Sequence, residues 1–199
     1  MSTTKNSSRY DFSIIADWVP TGSRVLDLGC GDGELLNYLK SKKNITGFGI
    51  EKGEKNWLEA LKNNIDVIQI DIESGLSEFE TDSFDVVILS KTIQSMQNTE
   101  MVVKEMLRIG KEVIVTFPNF GFWRNRFQII MGRMPISDEL PYAWFNTPNI
   151  HLCTIKDFDS FCEKYRFKIT DRMILTDKQS VKFIPNLFGA LALYKLVSK

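Results

Sequence analysis

The sequence predicts an α/β fold: seven strands in a mostly parallel sheet, the last of them antiparallel, with helices on both faces. Three observations lead there. Residues 24–28 form a short apolar run that breaks through Gly29, Gly31 and Gly33 into the helix-spaced Leu35, Leu36 and Leu39, the opening of a nucleotide-binding strand–turn–helix unit. Strand-like and helix-like segments then alternate five times over short links, a pattern that favours parallel pairing. Glu51 and Asp71 close the second and third of these strands, at the sheet edge where ligands of open α/β folds bind.

The elements follow in order. Residues 1–8 are polar, rich in Ser, Thr and Asn, and are expected to be disordered. Phe12, Ile14, Ile15 and Trp18 have helical spacing, and Pro20 ends that helix. Thr21-Gly22-Ser23 turns the chain into the first strand. The helix after Gly33 runs to Ser41, and residues 45–50 form the second strand. Trp57, Leu58 and Leu61 mark a helix, and residues 66–70 a third strand. Residues 84–89 are almost wholly apolar, as a strand buried on both faces should be. A helix over 101–107, capped by Gly110, leads to a fifth strand over 112–117.

The alternation then breaks. Residues 118–153 carry Phe120, Phe122, Trp123, Phe127, Tyr142, Trp144 and Phe145, with Arg124, Arg126 and Arg133 among them. An insert this long is functional or disordered, and its aromatic content argues against disorder. Because it leaves the carboxyl end of the fifth strand, it is expected to form a lid or a partner-facing surface. Thr154 and Asp157 read as the cap of another helix. Residues 167–175 and 190–197 are expected to be the last two strands, an antiparallel pair at the sheet edge. Nothing divides residues 1–199 into more than one domain.

Composition excludes several classes. Lys+Arg and Asp+Glu number 25 each, so no global field draws the chain to nucleic acid or to an anionic membrane. Cys30, Cys153 and Cys162 make an odd set without a disulfide framework, which fits a reducing compartment. The N-terminus lacks a signal-peptide core and no run is apolar enough to span a bilayer. A cytoplasmic protein is expected. One histidine and no C-x-x-C pair leave no metal site in prospect.

The glycine spelling narrows the ligand. Glu34 stands where a dinucleotide fingerprint has its third glycine. Asp27 and Asp32 would repel a pyrophosphate at the helix N-terminus and suit a ligand with positive groups and hydroxyls. Glu51, about 20 residues beyond the loop, is placed to accept hydrogen bonds from ribose hydroxyls.

This stretch, Asp27-Leu28-Gly29-x-Gly31-x-Gly33, is similar to motif I of the class I S-adenosylmethionine-dependent methyltransferases. The resemblance implies a Rossmann-like methyltransferase domain and S-adenosyl-L-methionine or S-adenosyl-L-homocysteine as cofactor. It places Asp27, Gly29, Cys30, Gly31, Asp32 and Gly33 in the loop that holds the cofactor. Glu51 falls to the ribose, Asp71 to the adenine amino group and the Ile72 N–H to the ring, and Ser90, at the end of the fourth strand, completes the cofactor-binding set.

The later runs resemble a narrower family. Ile88-Leu89-Ser90-Lys91-Thr92-Ile93-Gln94, Phe117-Pro118-Asn119-Phe120-Gly121-x-Trp123 and Gly132-Arg133-Met134-Pro135 are similar to those of the MetW proteins of methionine biosynthesis. So are Leu140-Pro141-Tyr142-x-Trp144 and Asn146-Thr147-Pro148-Asn149-Ile150-His151-Leu152-Cys153-Thr154. That resemblance implies work beside a homoserine O-acyltransferase.

Two function classes remain: a binder of S-adenosylmethionine that supports the acyltransferase, and an enzyme that methylates a small molecule. Methyl transfer needs a nucleophile held in line and, where it carries a proton, a base. His151, the only histidine, is the candidate base. Ser90-Lys91-Thr92-Ile93 stands where enzymes acting on bases or glutamine show Asn/Asp-Pro-Pro-Tyr/Phe, which weighs against such substrates. No glycine-flanked serine elbow is present, so the chain is not expected to acylate homoserine itself. Asn119, Trp123, Arg124, Arg126 and Trp144 are the candidate partner or substrate surface, since aromatic residues and Arg anchor interfaces.

Overall fold

A computed structural model describes residues 8–177 and 179–198. Its strands are β1 (Arg24–Leu28), β2 (Thr46–Ile50), β3 (Val67–Ile68), β4 (Phe84–Ser90), β5 (Gly110–Pro118), β6 (Lys168–Thr176), β7 (Gln179–Ser180) and β8 (Leu191–Val197). The helices are α1 (Ser8–Trp18), α2 (Glu34–Lys43), α3 (Glu54–Lys62), α4 (Ile72–Gly75), α5 (Thr99–Ile109), α6 (Trp123–Ile130), α7 (Ile155–Tyr165) and α8 (Pro185–Phe188). The disorder expected of residues 1–8 falls outside the described residues for 1–7, while Ser8 opens α1.

The strand order is β3-β2-β1-β4-β5-β8-β6-β7. From β3 to β5 every pairing is parallel. The seven expected strands are present, the last antiparallel, and β7 adds a two-residue ladder at the edge. The last pair is antiparallel and lies beyond β5 toward the sheet edge, as expected, with the later strand on its inner side. β8 pairs antiparallel with β5 on one side and β6 on the other, so it lies inside the sheet.

Period-2 alternation divides two cores between the two faces. Leu26, Leu28, Val87, Leu89, Val113, Val115 and Phe117 meet α5 and α7 on one face. Val25, Val86, Ile88 and Ile114 meet α1 and α2 on the other. Asp27 alternates with Leu26 and Leu28, which puts a carboxylate on the α1–α2 side.

Local chemistry explains the element ends. Thr154 and Asp157 form the expected reciprocal cap of α7: the Asp157 N–H donates to Thr154 Oγ1 at 3.2 Å, and the Thr154 N–H to Asp157 Oδ2 at 2.9 Å. Gly110 is the C-cap of α5 as expected, its N–H donating to the Met106 carbonyl, with an extended backbone. Its φ is −120° and it is the first residue of β5. Glycine is needed there because a Cβ would lie 2.5 Å from Val87 Cγ2.

Candidate functional site

The three loop glycines all have positive φ, at 70°, 58° and 79° for Gly29, Gly31 and Gly33, where a side chain is disfavoured. Their surroundings separate their roles. A Cβ on Gly29 would meet Thr92 at 2.8 Å and one on Gly33 would meet Ile65 at 2.6 Å. These two keep the turn tight against its own protein. Nothing lies within 4 Å of a Cβ on Gly31, so its open side is the side a ligand can approach. Gly29 N–H and Cys30 N–H both donate to the Ile50 carbonyl, at 2.7 and 3.0 Å, fixing the loop to the end of β2.

Glu51 completes this arrangement. Its Oε2 accepts from Gly31 N–H at 3.0 Å and its Oε1 from Gly53 N–H at 2.7 Å. Each carboxylate oxygen has a further lone pair, so the group can still receive two hydroxyls. Asp32 is occupied differently: its Oδ1 accepts from Glu34 N–H at 3.2 Å, at the start of α2. The Cys30 thiol is buried and pushed well above the ordinary thiol range by that burial, so it lines the loop as a neutral group.

Asp27 is the electrostatic centre. It is only 2% exposed, and its Oδ1 has no hydrogen-bond partner among the described residues. Burial, with the Glu51 charge second, raises its carboxyl to about 7. An unpaired buried carboxylate is costly, and a cation seated on the loop would relieve it. That orphan oxygen and the open side of Gly31 are the features that fit S-adenosylmethionine, which carries a sulfonium and an ammonium.

Asp71 caps α4, its Oδ1 accepting from Glu73 N–H at 3.1 Å, and pairs with Lys52 Nζ at 2.7 Å. The Lys52 bond holds its carboxyl below the usual range. Ile72 follows, with its side chain buried. Ser90 ends β4, but its hydroxyl is engaged sideways with Thr116 Oγ1 at 3.1 Å. His151 is exposed, with its Nε2 3.4 Å from the Gln97 carbonyl. Its backbone N–H and that of Ile150 both donate to the Gln94 carbonyl, at 2.9 and 2.8 Å. The histidine therefore sits beside the turn that follows β4.

The insert is fastened to its own domain and apolar outside. Asn119 does not lie on the expected contact surface, because it is fully buried. Its amide donates to the Asn186 and Gly189 carbonyls at 3.2 and 2.7 Å, and its Oδ1 accepts from Gly121 N–H at 3.0 Å. It roots the insert instead. Arg126 is exposed yet does related work, since its Nε donates to the Gly121 carbonyl at 2.6 Å. Trp123 and Trp144 are 45% and 74% exposed, and Arg124 lies over the Trp123 ring at 5.6 Å. A closed lid would have buried both tryptophans.

Sequence reasoning missed one cluster. Lys91 has a φ of 53°, and its Nζ lies 3.4 Å from Asp11 Oδ2 and 2.9 Å from Glu139 Oε2. These residues come from α1, the end of β4 and the insert. Only the positive φ of Lys91 marks the place, and no pattern in the sequence announces it.

A family model described as Methionine biosynthesis protein MetW matches residues 9–196. A protein of Rhodopirellula baltica, named bifunctional methionine biosynthesis protein MetXA/MetW, is 38% identical over 157 residues. The match covers 74% of this chain but only 25% of that protein. Among solved structures, a SAM-dependent methyltransferase from Archaeoglobus fulgidus superposes with a TM-score of 0.70 at 15% identity, covering 98% of this chain and 96% of its own. The [4+2]-cyclase SpnF superposes with a TM-score of 0.68 at 16% identity, covering 99% and 85%. A methyltransferase and a cyclase thus share this fold, so the fold by itself does not name the reaction. No helix among the described residues is long and apolar enough to cross a membrane.

Proposed function

The chain belongs to the MetW family, and on that footing we propose that it binds S-adenosylmethionine or S-adenosylhomocysteine at the glycine loop and supports a homoserine O-acyltransferase. The observation that carries the binding half is the orphaned Asp27 carboxylate beside the ligand-open Gly31. Asp27 supplies the counter-charge for the cationic end, and Glu51 has lone pairs free for the two ribose hydroxyls. Asp71 and the Ile72 N–H take the adenine, with Asp71 exchanging part of its Lys52 contact. When bound, the cofactor supplies an activated methyl group. The partner half draws support from the family and from a relative whose name joins MetXA and MetW in one protein.

Glu51→Ala is expected to weaken S-adenosylmethionine binding about 10- to 100-fold, since hydrogen bonds to a charged group contribute roughly 1.5–3 kcal/mol. Titration calorimetry reads it directly, and an unchanged constant would remove Glu51 from the site. Wild-type protein that takes up neither ligand would sink the binding proposal as a whole.

Binding is also expected to depend on pH. Asp27 titrates near 7 in the free protein, and a cation favours its ionised form. Affinity should therefore rise as pH increases through about 7, with a proton released on binding. Stability of the free protein moves the other way. The carboxyl is raised above its unfolded value of 3.8, so the folded state is progressively destabilised as pH climbs from that value through about 7. Asp27→Asn should flatten both profiles. Calorimetry in buffers of different ionisation enthalpy measures the proton, and a pH-independent affinity would exclude Asp27 as the counter-charge.

A further inference from the structure

A cavity of about 410 Å³ opens at the carboxyl edge of the sheet, and none of its lining residues belongs to the glycine-loop set. Its walls come from α1, the insert, the end of β6 and the start of β8. The volume lies in the range of small-molecule sites. Asp11, Asp138, Glu139 and Asp177 line it, with Arg124 as the cation on the wall among the described residues. Lys91 sits behind, shared between Asp11 and Glu139.

Unused acceptors point to the ligand's chemistry. Asn125 is 2% exposed and lines the cavity, and its Oδ1 has no partner among the described residues. Its amide nitrogen is already committed to the Asn119 carbonyl at 3.2 Å, so turning the amide would only exchange one unmet group for another. Thr176 lines the same wall, and its Oγ1 is also unpartnered. Asp11 is 3% exposed, and burial raises its carboxyl even though Lys91 faces it. Among the described residues, four carboxylates and two orphan acceptors face one wall arginine and one shared lysine. Buried acceptors left without donors are costly, and this surplus calls for a ligand that brings positive charge and N–H groups.

We propose that this cavity is a second binding site, distinct from the glycine loop, for a small organic ammonium compound. The ammonium donates into the acceptor cluster of Asn125, Thr176 and Glu139, and its charge offsets the carboxylate excess. A simple diamine carries the required chemistry, so putrescine serves as the probe and 1,4-butanediol as the uncharged control of the same length. Calorimetry on the full chain, with and without saturating S-adenosylhomocysteine, is expected to show saturable putrescine binding in both conditions and none for the diol.

Two variants locate the site. Glu139→Gln keeps shape and lowers the negative charge, while Thr176→Val removes a hydroxyl that holds no partner. Each is expected to weaken putrescine at least fivefold. If Glu139→Gln alters the circular dichroism spectrum, Thr176→Val carries the test alone. The proposal is overturned by absent putrescine binding, by equal binding of the diol, by competition from S-adenosylhomocysteine, or by an unchanged constant in folded variants. Failure of the glycine-loop site would leave these readings unaffected, so the two proposals stand or fall separately.

Discussion

Gly31→Val is expected to abolish S-adenosylmethionine binding, by more than about 100-fold, in a domain that still folds. The argument rests on the difference among the loop glycines. A Cβ on Gly29 or Gly33 collides with Thr92 or Ile65, so a substitution there tests packing as much as binding. Gly31 has room for a Cβ on the protein side. Its branched side chain would instead occupy the space a ligand enters, and the residue would keep a φ of 58° only under strain. Gly22→Val controls for that strain. Gly22 also has positive φ and nothing within 4 Å of its Cβ position, but it lies in the turn before β1, at the opposite edge of the sheet. The expected result is a similar fall in unfolding temperature for both variants and loss of binding in Gly31→Val alone. Normal binding by folded Gly31→Val would remove the loop from the cofactor site.

The second large effect concerns the insert. Met134, Tyr142 and Trp144 line one shallow hollow, and Ile130 and Met131 project nearby in sequence at 80% and 63% exposure. Apolar side chains so exposed have not contributed their burial energy to this fold. A partner that covers them gains roughly 1.5–3 kcal/mol per large side chain, and a few such residues carry most of an interface. Ile130→Glu combined with Trp144→Ala is expected to remove co-purification with the homoserine O-acyltransferase from the same source. The loss is on the order of a thousandfold in Kd, and S-adenosylmethionine binding should be retained. Arg126 is a poor place for this test because it holds the Gly121 carbonyl, and its replacement would loosen the insert itself. A doubly substituted protein that still co-purifies fully would place the contact elsewhere.

The parts of the site that were legible in the sequence are those whose physics is local. A positive φ at alternate positions favours glycine whatever surrounds the turn, and Glu51 follows Ile50, which pairs in register with Leu28 at the loop. Reciprocal capping of α7 by Thr154 and Asp157 is likewise a matter of four consecutive residues. The burial of Asn119 is decided by distant carbonyls at Asn186 and Gly189, which its own segment does not reveal. Asp11, Lys91 and Glu139 were invisible for the same reason: three ordinary charges, each unremarked in its own segment, meet only after the sheet has closed. Gly110 shows a subtler limit. A glycine at a helix end reads as a cap, which Gly110 is, but its second task of giving β5 room beside Val87 depends on a distant strand.

The interior position of β8 has a consequence for biogenesis. On a ribosome, β5 and β6 are complete before residues 191–197 exist, so β5 can pair only with β4, and the edge that each turns toward β8 stays open until those residues arrive. Until then each presents a row of unpaired N–H and C=O groups, the kind of edge on which nascent chains aggregate. The sheet is sealed through its middle by a segment that follows both of the strands it joins. A premature stop that removes β8 would leave two raw edges facing each other, not a sheet trimmed by one strand at its margin.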